Sequence, residues 1–401
     1  MLRKPRRANR LAILDAITTL LFQFVPPFCI SLWPQFILFN FSFAGPFNLV
    51  GKLVANSIEV IIMLKVLGRK KAKVSVKKIL TNSLLVYLTF CHIKSITPVY
   101  RFMIFLLAEF GLTLSFLEII VQPFIHSYNF SWIYFTVDPV FGASKSLKTA
   151  MLLAYALVYE IIICLMAVQF IYRYVVLLKP GSVKLFHGCN ALCWFVYISV
   201  CVAIWIALLV TCLPEPFSKL YTRRELSDNY NYDVDELSGF FIVAFEPVEN
   251  VATIRLNALL CTAGLAFTLL AQYAVMVYCG VKIQKKMKEI SRSASNKEHR
   301  LQVQLFKTLV LQITSPSLFY HIPAIVMFAA PYFDTKLSVP SGLMIAFFSV
   351  YPAIDSIILM CVVTEYRRAM RKFTEKALQF LLNLIRSYAE SDETTNTQET
   401  P

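Results

Sequence analysis

The sequence predicts an all-α membrane protein, a bundle of seven transmembrane helices, from three observations. The chain of 401 residues is 57% hydrophobic and only 16% charged, whereas soluble domains are roughly 45–50% apolar and about 25% charged. Its apolar residues lie in continuous blocks of about 20, the length that a helix needs to cross a hydrocarbon core of roughly 30 Å. The blocks lack the alternation of membrane β-strands, and helices alone satisfy every backbone group in lipid without a partner strand. A soluble globular domain is therefore excluded.

Seven apolar segments form the predicted core, which spans residues 79–364. Each is continuously apolar and ends at a polar or charged stretch. The predicted segments are 79–93, 102–123, 149–172, 190–212, 256–281, 305–331 and 342–364.

The loops between these segments differ in charge, and this difference predicts their sidedness. The loops 94–101, 173–190 and 282–307, with the stretch 365–376, hold 18 basic residues against four acidic ones. The alternate loops 124–148, 213–254 and 332–341 hold six basic residues against ten acidic ones. Because basic residues are retained on the cytoplasmic side, we expect the core to begin outside and end inside.

Asn129, in the Asn-Phe-Ser triplet of a loop assigned to the outside, is a candidate glycosylation site.

The formal net charge of +15 is concentrated at the ends of apolar segments. That distribution favours membrane lipid and a cytoplasmic partner over nucleic acid. The ten cysteines lie mostly in or beside apolar segments and include no C-x-x-C pair, so we interpret them as buried apolar side chains. We expect no metal site and no cofactor.

Residues 1–78 precede the core and are predicted to contribute extra membrane-associated segments. They contain a basic leader, an apolar stretch 11–33 interrupted by Pro26 and Pro27, a second apolar stretch near 43–66, and a basic run. Short stretches of this block are similar in sequence to stretches of the sixth and seventh segments, and they occur in the same order. Either these residues span the membrane, or they come from a related helical membrane unit joined to the core.

Several ordered motifs from Asn82 to Lys372 carry a resemblance to a known family. They are residues 82–88 (NSLLVYL), 100–104 (YRFMI), 121–128 (VQPFIHSY), 170–174 (FIYRY), 186–188 (FHG), 351–355 (YPAID) and 366–369 (YRRA). In this order and spacing the core resembles the nematode seven-transmembrane chemoreceptors of serpentine receptor class r, the Str family of G-protein-coupled receptors. The chain departs from the pattern in the first segment, where Lys77 and Lys78 replace apolar residues.

The resemblance implies a cytoplasmic site that couples to the α subunit of a heterotrimeric G protein. Arg173 ends the third segment, where such receptors place an arginine that is held by neighbours or released toward Gα. Tyr172 stands where rhodopsin-like receptors carry an acidic residue, so another group must hold the arginine. The expected coupling residues are Tyr172, Arg173, Tyr174, Lys285 and Lys286.

Ionisable residues and prolines inside the segments are candidates for a conformational switch. A charge at mid-bilayer costs about 2.5–3.5 kcal/mol on insertion scales and marks a functional candidate; Glu109, Glu118, Glu160 and Asp355 qualify. Proline frees a carbonyl and kinks a helix. We expect Pro316, Pro352 and Asp355 to form the switch.

A ligand is expected between the helices near the outer face, in a mostly apolar pocket with a few polar groups. By resemblance the ligand is an odorant or a small water-soluble chemical. The candidate ligand-binding residues are Tyr155, Tyr159, Phe319, Tyr320 and His321.

Beyond the core, apolar residues recur at helical spacing over 365–388, which predicts an amphipathic helix on the inner leaflet. Residues 389–401 are predicted to form a disordered acidic tail.

The chain carries no H-E-x-x-H, P-loop or G-x-S-x-G motif, so an enzyme is not expected. Three functions remain compatible with such a bundle: a receptor, a transporter and an odorant-gated channel. A multi-pass transporter would show repeated halves with paired broken helices, and a seven-helix odorant-gated channel would begin inside. We favour the receptor, and the resemblance places it in the plasma membrane of chemosensory cilia.

Overall fold

The chain divides into two units, Met1–Val74 and Ser75–Pro401, and the fold described here is that of the second. The computed structural model describes residues 71–93, 96–136, 144–230, 232–248, 251–291, 297–333, 339–340 and 353–375, with single positions 379 and 383. The predicted N-terminal segments up to residue 70, the start of the seventh segment and the acidic tail lie outside these residues. So does most of the predicted amphipathic helix beyond residue 375.

The described residues form helices at all seven predicted positions. Helices α1 to α4 match the first four segments, α5 lies in an outer loop, α6 is the fifth segment, α7 and α8 share the sixth, and α9 belongs to the seventh. Their bounds are α1 Lys71–Cys91, α2 Pro98–Val121, α3 Lys145–Leu178, α4 Leu192–Val210, α5 Pro216–Tyr230, α6 Leu256–Ser291, α7 Lys297–Pro316, α8 Ile322–Ala329 and α9 Ala353–Val362.

Four of the described helices are long and apolar enough to cross a membrane, namely α2, α3, α6, and α4 with the turn before it. Helices α1 and α9 contribute shorter apolar stretches. The sixth segment is interrupted by a π-helical turn, Ser317–His321, which follows directly after Pro316. Residues 364–375 continue the chain as a helix; that this segment lies on the inner leaflet stays a prediction.

Helix α3 is the central element of the bundle. It has 34 residues, longer than the predicted 149–172, and 67% of its most apolar window is buried inside the protein. Only 17% of the corresponding window of α4 is buried, so most apolar side chains of α4 face outward. An outward apolar surface is what a lipid-facing helix presents, and α4 therefore lies at the bundle's periphery.

A sheet at one end of the bundle is the feature that the sequence analysis did not predict. Strands β1 (Phe124–Tyr128), β2 (Ser131–Thr136), β3 (Ser238–Val243) and β6 (Val339–Pro340) pair antiparallel in the order β3-β2-β1-β6. A separate hairpin joins β4 (Phe245–Val248) to β5 (Val251–Ile254). The four-stranded sheet draws one or two strands from each loop that the charge pattern assigns to the outside. These three loops thus meet at one end of the bundle.

The two faces of this outer sheet pack against different partners. On one face, the Trp132 ring lies 5.6 Å from the Phe328 ring of α8, and the Tyr134 hydroxyl donates to the Leu152 carbonyl of α3 at 3.1 Å. On the other face, buried Phe135 belongs to an apolar cluster with Leu226 of α5. The sheet therefore covers the outer end of the helices, and α5 covers the sheet.

Gly239 permits the close approach of β3 to β2. It lies directly opposite Phe135, and an added methyl group would overlap the Tyr134 carbonyl oxygen and come within 2.7 Å of the Phe135 Cα. Because these are backbone atoms, they cannot move aside as a flexible side chain would.

We expect Gly239→Ala to destabilise the protein by about 1–3 kcal/mol, the usual cost of overpacking. The measurement is the melting temperature of the purified protein in detergent. Gly181→Ala is the matched control, because no atom lies within 4 Å of the added methyl group there. Equal melting temperatures for the two variants would contradict this account of the sheet.

The loops assigned to the inside also meet, at the opposite end. One buried apolar cluster joins the α1–α2 connection, the inner end of α3, the loop after it and the helix that follows α9. Its members include Ile93, Ile96, Tyr100, Tyr172, Val175, Phe186, Tyr366 and Ala369. The charge pattern therefore groups the loops correctly by end.

Candidate functional site

Arg173 lies buried near the end of α3 that the charge pattern assigns to the inside, with 4% of its surface exposed. Its guanidinium carbon is 3.8 Å from the centre of the Tyr100 ring of α2. Tyr100 is itself fully buried and stacks on Tyr172 with ring centres 6.1 Å apart. A cation over the face of an aromatic ring is attracted by the ring's electrons, by about 2 kcal/mol where water is excluded. Tyr100 thus supplies a partner for Arg173 that the sequence analysis had left unidentified.

The neighbours of Arg173 hold this arrangement in place. The Tyr172 hydroxyl bonds to the Thr97 hydroxyl at 3.0 Å, and its ring contacts Phe186 edge-on at 5.0 Å. Tyr174 is half-buried and lies 6.1 Å, ring to ring, from Tyr278 of α6. The structure therefore joins Tyr172 and Arg173 in one cluster, while Tyr174 contacts another helix.

Lys285 and Lys286 lie apart from this cluster, on the inner extension of α6. Lys285 is exposed and Lys286 is half-buried. The Lys286 ammonium pairs with Glu289 at 3.1 Å on the same helix. Both lysines lie near the end of the bundle that the charge pattern assigns to the inside, and their role in coupling stays a prediction.

Asp355 is the switch candidate whose surroundings are best defined. It is 9% exposed, and Gln312 of α7 lies within hydrogen-bonding reach of its carboxyl group. Among the described residues, its Oδ1 atom has no hydrogen-bond partner. The next residue, Ser356, donates to Asn82 of α1 at 2.5 Å. Polar contacts thus connect α1, α7 and α9 inside the bundle.

The two predicted switch prolines are only partly described. Pro316 ends α7 immediately before the π-turn, in line with the expectation that it disturbs the sixth segment; nothing is described of its side chain. Pro352 lies outside the described residues. Single π-helical turns recur at functional sites of proteins, so the break after Pro316 is a further candidate feature.

The ligand-binding candidates lie on α3 and on the π-turn. Tyr155 and Tyr159 are buried, and their rings meet edge-on at 5.4 Å. His321 is 5% exposed, and its ring centre is 5.5 Å from that of Tyr273 on α6. Phe319 has its backbone in the same turn, as has Tyr320, but their side chains lie outside the described residues.

A contact between α3 and α6 shows that the candidate tyrosines of α3 and the Tyr273–His321 pair lie at a similar depth in the bundle. The Gln272 side-chain amide donates to the Glu160 carboxylate at 2.5 Å. Glu160 follows Tyr159, and Gln272 precedes Tyr273. The tyrosines of α3 and the Tyr273–His321 pair therefore flank the same polar contact, below the outer sheet.

A shallow surface groove of about 500 Å³ lies elsewhere, along the loop after α3. It is lined by Pro180, Gly181, Val183, Lys184, His187, Gly188 and Asn190. This groove is at the inner end and does not contain the predicted ligand-binding residues.

Asn129 occupies the turn between β1 and β2 with a left-handed backbone, φ 50°. Its side-chain amide nitrogen, the atom that a glycan would modify, donates to the Tyr221 hydroxyl of α5 at 2.9 Å. Glycosylation at Asn129 stays a prediction, and it requires this contact to open.

The structure reveals two residues whose contacts could not be predicted from the sequence, namely Tyr100 beside Arg173 and Lys78 beside Glu118. Tyr100 was part of a motif but had no assigned role, and Lys78 was noted only as a departure from the family pattern. In the structure, the Lys78 ammonium pairs with Glu118 of α2 at 2.7 Å, with 4% and 15% of the two side chains exposed. The available signal was a pair of opposite charges within apolar segments. The distance between Lys78 and Glu118 along the chain does not show that the two side chains meet.

Two family models and several curated proteins match this chain. Residues 73–371 match the family model described as "Serpentine type 7TM GPCR chemoreceptor Str", and residues 3–71 match that of "Serpentine type 7TM GPCR chemoreceptor Srbc". G-protein coupled receptor str-33 of Caenorhabditis elegans is 38% identical over 293 residues, covering 72% of this chain and 85% of that protein. Serpentine receptor class r-10 of the same organism is 28% identical over 276 residues, covering 68% of this chain and 81% of that protein.

A solved structure supports the fold. The crystal structure of squid rhodopsin aligns with a TM-score of 0.52 at 12% sequence identity, covering 77% of this chain and 84% of that chain. At this identity the likeness concerns the fold alone. It confirms the predicted bundle of seven transmembrane helices.

Proposed function

Because the chain belongs to the Str family of serpentine seven-transmembrane G-protein-coupled chemoreceptors, we propose that it binds a small chemical between α3 and α6 and signals to a heterotrimeric G protein. The family is one of receptors, so the expectation that the chain is not an enzyme is confirmed. The protein is a multi-pass membrane protein. We place it in the plasma membrane of chemosensory cilia.

One observation carries the proposal: a single continuous helix links the two candidate sites. Helix α3 runs from Lys145 to Leu178. It presents Tyr155, Tyr159 and Glu160 toward the outer half of the bundle and Arg173 at the inner end. A change in how α3 packs against α6 near Glu160 therefore has a direct structural route to Arg173.

The chemistry of the outer half favours a small ligand with aromatic or polar groups. Tyr155 and Tyr159 provide apolar ring faces and hydroxyls, and His321 provides ring nitrogens that donate or accept. The outer sheet covers the helices above these residues, which limits the size of any molecule that enters from outside. Such a molecule suits the odorants or small water-soluble chemicals expected from the sequence.

The proposed mechanism is a population shift. In the structure Arg173 is held inside, over Tyr100. A ligand that binds better when α3 and the sixth segment separate at the inner end would increase the fraction of receptors with Arg173 released toward Gα. Lys285 and Lys286, on the inner extension of α6, would then contribute to the Gα contact.

A ligand screen in cells that report calcium tests the proposal. We expect at least one small chemical to evoke a response that disappears when Gα is uncoupled, and that Arg173→Ala abolishes at unchanged surface expression. Tyr159→Ala should raise the ligand concentration needed for half-maximal response by about tenfold or more. Phe267→Ala, at an exposed position on α6, is the matched control and should respond as the wild type does.

Two results would overturn the receptor mechanism. The first is a response that persists without Gα and requires current through the protein, as in an odorant-gated channel. The second is uptake of the ligand itself, as in a transporter.

For the N-terminal block we propose an origin in a related receptor unit joined to the core. The match of residues 3–71 to a second chemoreceptor family supports this proposal. A transcript that lacks the block and still yields a working receptor is the expected observation. Glycosylation-site mapping that shows all nine apolar segments inserted in the membrane would argue against it.

A further inference from the structure

Three potential metal ligands meet near the middle of α3, away from the coupling site. They are the carboxylate of Glu160, the thiol of Cys164 one turn later, and the thiol of Cys201 on α4. Their ligand atoms all lie within 4.8 Å of one another. Glu160 and Cys164 are completely buried, and Cys201 is half-buried.

One oxygen of the Glu160 carboxylate accepts two hydrogen bonds within this cluster. The Cys164 thiol donates to Glu160 Oε1 at 3.4 Å, and the Gln272 amide donates to the same oxygen at 2.5 Å. Glu160 Oε2 and Gln272 Oε1 have no hydrogen-bond partner among the described residues. A buried polar network with unsatisfied atoms is costly, and more so in the interior of a membrane. Two buried acceptor oxygens of this cluster are therefore available to a further partner.

We propose that Glu160, Cys164 and Cys201 bind a zinc ion, with Gln272 as the fourth ligand. Zinc takes four ligands in a tetrahedron at about 2.3 Å from sulfur and 2.0–2.2 Å from oxygen. Ligand atoms at such bond lengths lie roughly 3.3–3.8 Å apart, so small side-chain rotations close the site from its present spacing. Rotating the Gln272 amide by half a turn presents its unpartnered oxygen to the ion.

The donor set favours zinc over the common hard cations. Calcium and magnesium prefer sites made of oxygen alone, whereas two sulfurs with one or two oxygens suit a borderline-soft ion. Because metal ligands must be deprotonated, binding releases the protons of the two thiols and of any protonated Glu160, and Zn²⁺ reduces the three negative charges of these ligands to one. The ion would join α3, α4 and α6, the helices around the proposed ligand site, but its binding does not depend on the proposed signalling.

The test is metal binding by the purified, full-length receptor in detergent, stripped with a chelator and then given Zn²⁺. We expect about one ion retained per chain by elemental mass spectrometry, and a higher melting temperature with zinc than without. Cd²⁺ used in its place should give an ultraviolet thiolate charge-transfer band. Cys164→Ser, Cys201→Ser and Glu160→Gln should each weaken binding by at least about tenfold.

Cys279→Ser is the matched control, because Cys279 is a buried cysteine of α6 outside the cluster. It should bind zinc as the wild type does. The melting temperature of each metal-free variant separates loss of a ligand from loss of the fold. Failure of the wild type to retain zinc, an equal loss in Cys279→Ser, or a Cys164–Cys201 disulfide found by non-reducing peptide mapping would each overturn the proposal.

Discussion

Replacing Glu118 with alanine is expected to lower the free energy of unfolding of the receptor by about 3 kcal/mol or more. The substitution removes the carboxylate that lies 2.7 Å from the Lys78 ammonium, whose side chain is only 4% exposed. Removing one member of a buried ion pair typically costs 3–5 kcal/mol, because the other charge stays buried without its partner. The measurement is the melting temperature in detergent, supported by the fraction of receptor that reaches the cell surface.

An exposed ion pair in the same chain provides the control. Lys286 and Glu289 lie one turn apart on α6 with 42% and 68% of their side chains exposed, and such pairs contribute about 0.2–1 kcal/mol. Glu289→Ala should therefore change the melting temperature little. The double variant Lys78→Met, Glu118→Leu removes both charges and should recover much of the loss. If Glu118→Ala and Glu289→Ala have equal effects, Lys78 and Glu118 do not pair in the membrane.

Replacing Tyr100 with leucine is expected to raise signalling in the absence of ligand. The substitution removes the ring over which the Arg173 guanidinium lies at 3.8 Å, and with it about 2 kcal/mol of attraction in a desolvated site. If the released arginine favours coupling, as proposed, the population of the coupling-competent state rises by roughly thirtyfold. The measurement is basal second-messenger level per receptor at the cell surface.

Two further variants make this test specific. Tyr100→Phe keeps the ring face and should stay close to the wild type in basal signalling. Phe102→Leu removes an aromatic ring from the same helix at a position that is 51% exposed, and should also leave basal signalling unchanged. Wild-type basal levels in Tyr100→Leu, at normal surface expression, would show that Tyr100 does not restrain Arg173.

Local sequence patterns were sufficient for the elements that the membrane itself dictates. The thickness of the hydrocarbon core sets the length of each apolar segment, so the positions of α2, α3, α4 and α6 could be read from composition. Their ends could not. Helices α3 and α6 extend beyond the predicted segments because the polar residues that close an apolar block remain helical where they leave the membrane.

The outer sheet could not have been predicted from any one loop. Its strands come from three loops, each separated from the next by two transmembrane segments, and each satisfies its backbone groups only when the others are beside it. The stretch 124–136 is rich in aromatic residues, and Asn129 marks a turn, which together are a weak hairpin signal. That signal was overlooked because the surrounding segments are so strongly helical.

Composition and charge were enough to predict the class of this protein, its seven-segment core and which loops share an end of the bundle, because the bilayer acts on hydrophobicity and charge residue by residue. Which polar side chains meet inside the bundle could be seen only in the folded protein. Lys78 with Glu118, Arg173 with Tyr100, and Glu160 with Gln272 are 40, 73 and 112 residues apart. Such pairs depend on how helices pack and rotate against one another, which no local pattern specifies.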